Sequence, residues 1–137
     1  MRSPVDGTRV LVVEDEADLI TTYVRLLGRQ GYRVVAAGTR RAALAIVEQE
    51  PLALVISDLR LPDGDGLDVI RAAARSPIRT PAIVITGFTS EVTRLAAFEA
   101  GASAYLAKPF SSTKLLETVK ALSVRICGPG FESATGF

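Results

Sequence analysis

Ala53-Leu54-Val55-Ile56-Ser57-Asp58-Leu59-Arg60-Leu61-Pro62-Asp63-Gly64-Asp65-Gly66 is the stretch whose reading decides the fold. Its opening, Ala53 to Ile56, is a short apolar run rich in β-branched residues. Such a run reads as a strand buried on both faces, as in a parallel sheet. The run ends on Asp58, and Pro62, Gly64 and Gly66 exclude regular structure for several residues beyond it. A carboxylate at the carboxyl end of a buried parallel strand stands where open α/β sheets place their ligand sites. A helix cap does not account for Asp58, because the helical pattern resumes only near Gly66-Leu67.

Outward from this stretch the same unit repeats. Residues 9–14 form a strand that ends in Glu14-Asp15-Glu16, and a helix follows with Leu19, Tyr23, Leu26 and Leu27 on one face. Gly31 is placed to stop it. Residues 32–37 make a second strand, ended by Gly38. Thr39 caps a helix running to about Gln49, and Pro51 punctuates before the central strand. Beyond the Asp58 loop, Leu67, Ile70 and Ala74 mark a third helix, halted by Pro77. Residues 82–85 are a fourth strand that runs into Thr86-Gly87. Ser90 caps a fourth helix carrying Val92, Leu95, Ala96 and Phe98, with Gly101 as its stop. Residues 103–107 give a weak fifth strand ending in Lys108-Pro109. Ser111 or Ser112 opens a fifth helix with Leu115, Leu116, Val119 and Leu122.

Strands alternating with helices over short connections imply right-handed crossovers and a parallel sheet covered on both faces. The fold class is therefore α/β, a doubly wound five-stranded parallel sheet in the flavodoxin-like order 2-1-3-4-5. That order puts its switch point between the first and third strands. Glu14 and Asp15 end the first strand, Asp58 the third, Thr86 the fourth and Lys108 the fifth. Chance would scatter such groups along the strands, so the sheet is expected to gather them into one pocket. Residues 1–8 read as an N-terminal extension, 9–124 as the domain, and the Gly/Ser-rich 125–137 as a tail or linker stub.

Composition narrows the function classes. An apolar fraction of 48% against 23% charged residues is that of a globular domain. The net charge of +1, with both signs interspersed, leaves no basic stripe, so this chain is not expected to bind nucleic acid. No apolar run approaches a membrane span and no signal peptide is visible. With Cys127 as the single cysteine, a reducing cytoplasm is the expected location. Histidine is absent, which removes Ser-His-Asp chemistry, His-ligated metals and any phosphohistidine formed on this chain.

The expected pocket has a definite chemistry. Clustered carboxylates repel one another and are stable ionised only beside a cation. Oxygen ligands without imidazole or thiolate select a hard ion, Mg²⁺ or Mn²⁺. Lys108 adds a point charge suited to a phosphoryl oxygen, and the Thr86 hydroxyl can donate to another. A carboxylate can itself be the nucleophile, which gives an aspartyl-phosphate.

Four segments together resemble the receiver domain of two-component response regulators, of the chemotaxis-regulator kind. They are Val12-Val13-Glu14-Asp15-Glu16, residues 58–66, Ile85-Thr86-Gly87, and residues 101–110 with Lys108-Pro109-Phe110. Their combination in this order, over about residues 9–124, is specific where each alone is weak. By this resemblance Asp58 accepts a phosphoryl group from a sensor histidine kinase or a histidine phosphotransfer protein. Asp15 and Asp58 would bind Mg²⁺ directly, Glu14 through water, and the Arg60 backbone carbonyl would be a further ligand. Thr86 and Lys108 would hold the phosphoryl group, Tyr105 would change rotamer as Thr86 moves, and Pro109 would follow a cis peptide. Arg60 and Phe88, each two residues past Asp58 and Thr86, fall at positions that tune phosphoryl lifetime in the family. The resemblance also assigns the surface of the fourth helix, fifth strand and fifth helix to an output domain or protein, or to a phosphorylation-dependent dimer. Glu14 stands where many members have Asp, a conservative change for a water-mediated ligand.

Other readings of the same residues are weaker. Asp63-Gly64-Asp65-Gly66 looks superficially like a calcium loop, but the EF-hand register would put Leu61 at its first ligand and Ala72 at its last. Phosphohydrolases similar to haloacid dehalogenases carry a second Asp two residues after the nucleophile, where this chain has Arg60. A receiver-like module without phosphorylation would have lost an acidic residue or the lysine, and both are present. No output-domain sequence follows Leu122, so the expectation is a stand-alone shuttle or a receiver from a larger regulator or hybrid kinase.

Overall fold

The computed structural model describes residues 9–127. The expected N-terminal extension and residues 128–137 of the expected tail lie outside the described residues, while residues 125–127, expected to open the tail, instead continue the last helix, Ser112–Cys127. Within them, β1 (Arg9–Val13), α1 (Ala17–Arg29), β2 (Arg33–Ala37), α2 (Arg40–Gln49) and β3 (Leu54–Asp58) come first. A short ribbon follows, β4 (Arg60–Leu61) with β5 (Gly64–Asp65), then α3 (Leu67–Arg75). The chain continues as β6 (Ala82–Thr86), α4 (Glu91–Ala100), β7 (Ala104–Ala107) and α5 (Ser112–Cys127).

The five long strands form one parallel sheet in the order β2-β1-β3-β6-β7, which is the expected order. Along each central strand alternate side chains face opposite ways, and two cores result. Leu11, Val13, Val55 and Val84 pack on one face under α2, α3 and α4, through Ala43, Val47, Val69, Ile70, Ala73 and Ala97. Val10, Val12, Leu54, Ile56, Ile83 and Ile85 pack on the other under α1 and α5, through Tyr23, Leu27, Leu115, Val119 and Leu122. Every residue of β3 and of β6 is buried, as strands inside such a sandwich must be. No helix among the described residues is long and apolar enough to cross a membrane.

The helix starts follow the caps expected of them. Thr39 accepts from the Ala42 N–H and Ser90 from the Thr93 N–H, so each satisfies a donor with no partner inside its helix. Two features differ from the sequence reading. Residues 60–65 are not irregular throughout: Pro62 and Asp63 form a tight reversal, and Arg60 and Leu61 pair antiparallel with Asp65 and Gly64. The apolar residues of α4 do not line the core either. Ala97 and Ala100 do so, while Val92 is 77% exposed, Leu95 50% and Phe98 39%. Small residues let α4 lie close to the sheet, and its larger apolar side chains are left facing outward.

Candidate functional site

The sheet register aligns the strand ends that carry polar groups. Val13 pairs with Ser57, so Glu14 and Asp58 emerge side by side. Asp58 pairs with Ile85, and Thr86 with Ala107, which places Thr86 and Lys108 one residue further along. The ladder persists past the strand ends, with Glu14 N–H donating to Ala37 O at 3.0 Å and Lys108 N–H to Thr86 O at 2.9 Å. Side chains 94 and 50 residues apart therefore meet within hydrogen-bond distance.

Lys108 Nζ is the hub. It donates to Asp58 Oδ2 at 2.8 Å and to Glu14 Oε1 at 3.1 Å. The other oxygens take backbone donors: Asp58 Oδ1 from Arg60 N–H at 3.2 Å, and Glu14 Oε2 from Glu16 N–H at 3.2 Å. Glu14 is 1% exposed, and burial pushes its carboxyl pKa up, with the Glu16 N–H and Lys108 only partly offsetting this. Burial alone would lower the Lys108 pKa, but its hydrogen bonds to Asp58 and Glu14 outweigh it and the ammonium is held above its usual value. Burial raises the Tyr23 hydroxyl too, with the charges of Glu14, Asp58 and Glu16 adding to the effect.

The remaining expected residues surround this cluster at different depths. Thr86 is fully buried, and its Oγ1 accepts the Phe88 N–H at 3.0 Å. Tyr105 lies behind it on β7, its ring 6.4 Å from that of Phe98, and its hydroxyl is buried with no hydrogen-bond partner among the described residues. The Lys108–Pro109 peptide is cis, and Phe110 beyond it stacks on Tyr23 of α1 at 5.9 Å. Arg60 and Phe88 meet: the guanidinium carbon stands 3.7 Å from the ring centroid, a cation–π contact between the ribbon and the loop after β6. Beside it a groove of about 440 Å³ runs between Leu61, Leu67, Val92 and Ala96.

Asp15 takes no part in the hydrogen bonds of this cluster that involve Lys108, Asp58 and Glu14. It is exposed, one residue past buried Glu14. Among the described residues no three Asp, Glu, His or Cys side chains stand close enough together to cage a metal ion. What the pocket offers a cation is chemical rather than closed: carboxylate and carbonyl oxygens only, and a buried Glu14 carboxyl whose ionised form is short of compensating charge. That donor set fits a hard divalent ion that keeps part of its water shell.

Two residues important to the site escaped the sequence reading. Gly66 packs directly on the carboxyl end of β3, where an added Cβ would lie 2.0 Å from Asp58 O. Asp63 makes long-range contacts with the start of α2. A Gly-rich punctuation was the only local signal for either.

The profile of the response regulator receiver domain family matches residues 10–120. Transcriptional regulatory protein TcrA of Mycobacterium tuberculosis is 35% identical over 121 residues, which cover 88% of this chain and 48% of that protein. The chain thus spans about half the length of this relative. A CheY-like response regulator receiver domain protein from Methanospirillum hungatei has a similar structure, with TM-score 0.82 and 30% identity, covering 87% of this chain and 95% of that one. A response regulator protein from Burkholderia pseudomallei matches with TM-score 0.77 and 27% identity, covering 93% of this chain and 75% of that one. It was solved with a phosphorylated aspartic acid, a calcium ion and citrate.

Proposed function

The chain belongs to the response regulator receiver domain family, a family of signalling domains, and from that premise we propose that it is a switch whose phosphoacceptor is Asp58. The observation that carries this reading is the contact of Asp58 Oδ2 with Lys108 Nζ at 2.8 Å, at the end of the central strand and beside buried Glu14. A carboxylate oxygen of Asp58 attacks the phosphorus of a phosphohistidine on a kinase or phosphotransfer protein. The P–O bond forms as the P–N bond breaks, and the leaving imidazole recovers its electron pair. Lys108 is already paired with Asp58, so its ammonium is placed to follow the charge onto a phosphoryl oxygen. Asp15, Asp58 and the Arg60 carbonyl would hold Mg²⁺, with Glu14 acting through water. When bound, the ion neutralises the charge that accumulates as phosphate meets carboxylate.

The signal leaves through Thr86 and Tyr105. A phosphoryl oxygen gives the Thr86 hydroxyl a new acceptor and draws the 86–90 loop toward Asp58. Tyr105 is suited to respond, because a buried hydroxyl without a partner costs about 1–3 kcal/mol. That cost keeps an outward, hydrated state of the ring within reach, and phosphorylation shifts the populations of the two. The surface altered is that of α4, β7 and α5, whose exposed Val92, Leu95 and Phe98 suit an output domain or protein. Arg60 stacked on Phe88 restricts water at the pocket mouth and so tunes phosphoryl lifetime. The domain promotes only its own phosphorylation and dephosphorylation, in the cytoplasm where its kinase works. Its even charge speaks against nucleic-acid contact by this domain alone; the expectation does not extend to a longer protein, since the relative above is a transcriptional regulator about twice as long.

Acetyl phosphate with Mg²⁺ is expected to add one phosphoryl group, labile to hydroxylamine, and Asp58→Asn to abolish it. Persistent single-site labelling of that variant would remove Asp58 from its role.

A further inference from the structure

Asp63 sits at the tip of the ribbon, exposed, five residues past Asp58. Both of its carboxylate oxygens accept from the first turn of α2. Oδ1 takes the Arg40 N–H at 2.6 Å and Oδ2 the Arg41 N–H at 3.0 Å. These are donors that no acceptor inside the helix can reach. Thr39 Oγ1 takes another, the Ala42 N–H, at 3.1 Å. One helix start is therefore capped twice, once by its neighbour and once by a residue 23 positions downstream. Those backbone bonds hold the Asp63 carboxyl below the usual carboxylate range.

The contact is returned by the Arg40 side chain. It runs over Gly64, where a Cβ would lie 2.7 Å from Arg40 Cδ, and the φ of +155° there also favours glycine. Its Nε then reaches Asp68 Oδ2, in the first turn of α3, at 2.7 Å. The ribbon is thus gripped at its tip by α2 and at its exit by Arg40. A two-pair ribbon has little rigidity of its own. Held this way, it carries the grip to the pocket. Arg60 pairs with Asp65 across it, Gly66 N–H donates to Leu59 O at 2.8 Å, and Arg60 N–H donates to Asp58 Oδ1.

We infer that Asp63 is a positioning residue for the phosphoacceptor loop. By capping α2 it sets where the Arg60 backbone lies beside Asp58, and the Arg40–Asp68 bridge locks that setting. This rests on the reading of Asp58 as phosphoacceptor with Mg²⁺. It adds to that reading a fixed point outside the pocket, on a helix that carries none of the expected ligands.

The test compares Asp63→Ala with Thr39→Ala in the full chain. Each removes one cap of the same helix, so each should lower the melting temperature to a similar degree. Only Asp63→Ala is expected to weaken Mg²⁺ binding by about tenfold and to slow phosphorylation by acetyl phosphate by about as much, as loss of an outer support does at metal sites. In metal-free protein it should also speed amide exchange at Arg60 and Gly66, which Thr39→Ala leaves unchanged. Asp63→Asn, which keeps one acceptor oxygen, should fall between wild type and Asp63→Ala. Equal Mg²⁺ affinity, rate and exchange in the two alanine variants would reduce Asp63 to a cap and overturn the inference. If the wild type itself takes no phosphoryl group, the phosphoacceptor reading fails, and the metal-free exchange still decides whether Asp63 positions the loop.

Discussion

Gly66→Ala isolates what close packing contributes to the pocket. The backbone at Gly66, with φ −65° and ψ −16°, suits any residue, so conformational strain is not at issue. Space is. The added methyl would lie 2.0 Å from Asp58 O and 3.0 Å from both Asp58 C and Leu59 Cα, where ordinary contact begins near 3.4 Å. Either the Asp58 carbonyl or the ribbon exit must retreat by more than an ångström. Overpacking of this kind costs about 1–3 kcal/mol, and disturbing the Gly66–Leu59 hydrogen bond about 1 more. At roughly 4 °C per kcal/mol for a domain of this size, the melting temperature should fall by about 8–16 °C. A displacement of that length at a reacting carboxylate also costs about 100-fold in rate. Thermal denaturation by circular dichroism reads the first effect, and acetyl phosphate labelling at a temperature where the variant is folded reads the second. Gly28→Ala serves as control, because nothing among the described residues lies within 4 Å of its Cβ in an exposed turn of α1. It should gain about 0.5–1 kcal/mol. If Gly66→Ala melts and labels like the wild type, the close approach does not hold the site together and the reasoning is refuted.

Two further outcomes follow from the electrostatics and the coupling. Burial raises the folded pKa of Glu14 above its unfolded value, so its ionised form opposes folding: the contribution is favourable below the unfolded pKa and is lost as pH rises through the folded one. In metal-free protein Glu14→Gln should therefore be more stable than wild type near pH 7, by on the order of 1 kcal/mol, and the gap should close as pH falls below about 4.5; a gap independent of pH would show that charge is not its origin. Thr86→Ala should still take the phosphoryl group yet lose most of the change around Tyr105, read as hydrogen exchange over residues 86–110 with a beryllofluoride mimic. Changes equal to the wild type's there would mean that the switch runs by another route.

The exposed face of α4 shows why one local pattern misled. Val92, Leu95, Ala96 and Phe98 have the spacing of a core stripe, and a helix pattern does not say which of two faces meets the sheet. Ala97 and Ala100 do, because their small side chains allow the helix to approach β6 and β7. The apolar residues left outside fit a surface used for contact rather than for folding.

Sequence alone determined the sheet, its order and the placing of Asp58, Thr86 and Lys108 at strand ends. Those features rest on local signals: buried runs four or five residues long, Gly and Pro between them, and caps such as Thr39 and Ser90 within three residues of the groups they satisfy. Only the tertiary structure decided that Glu14 is the buried acid and Asp15 the exposed one, that the Tyr105 hydroxyl is unpaired among the described residues, and that Arg60 stacks on Phe88. It alone joined Asp63 to α2 and left no room for a side chain at Gly66. Each of these depends on distances in space, set by strand register, by the reversal of the ribbon and by how closely helices pack. A pattern read along one segment holds no such distance, because the same acid, glycine or arginine is equally at home in a turn that touches nothing.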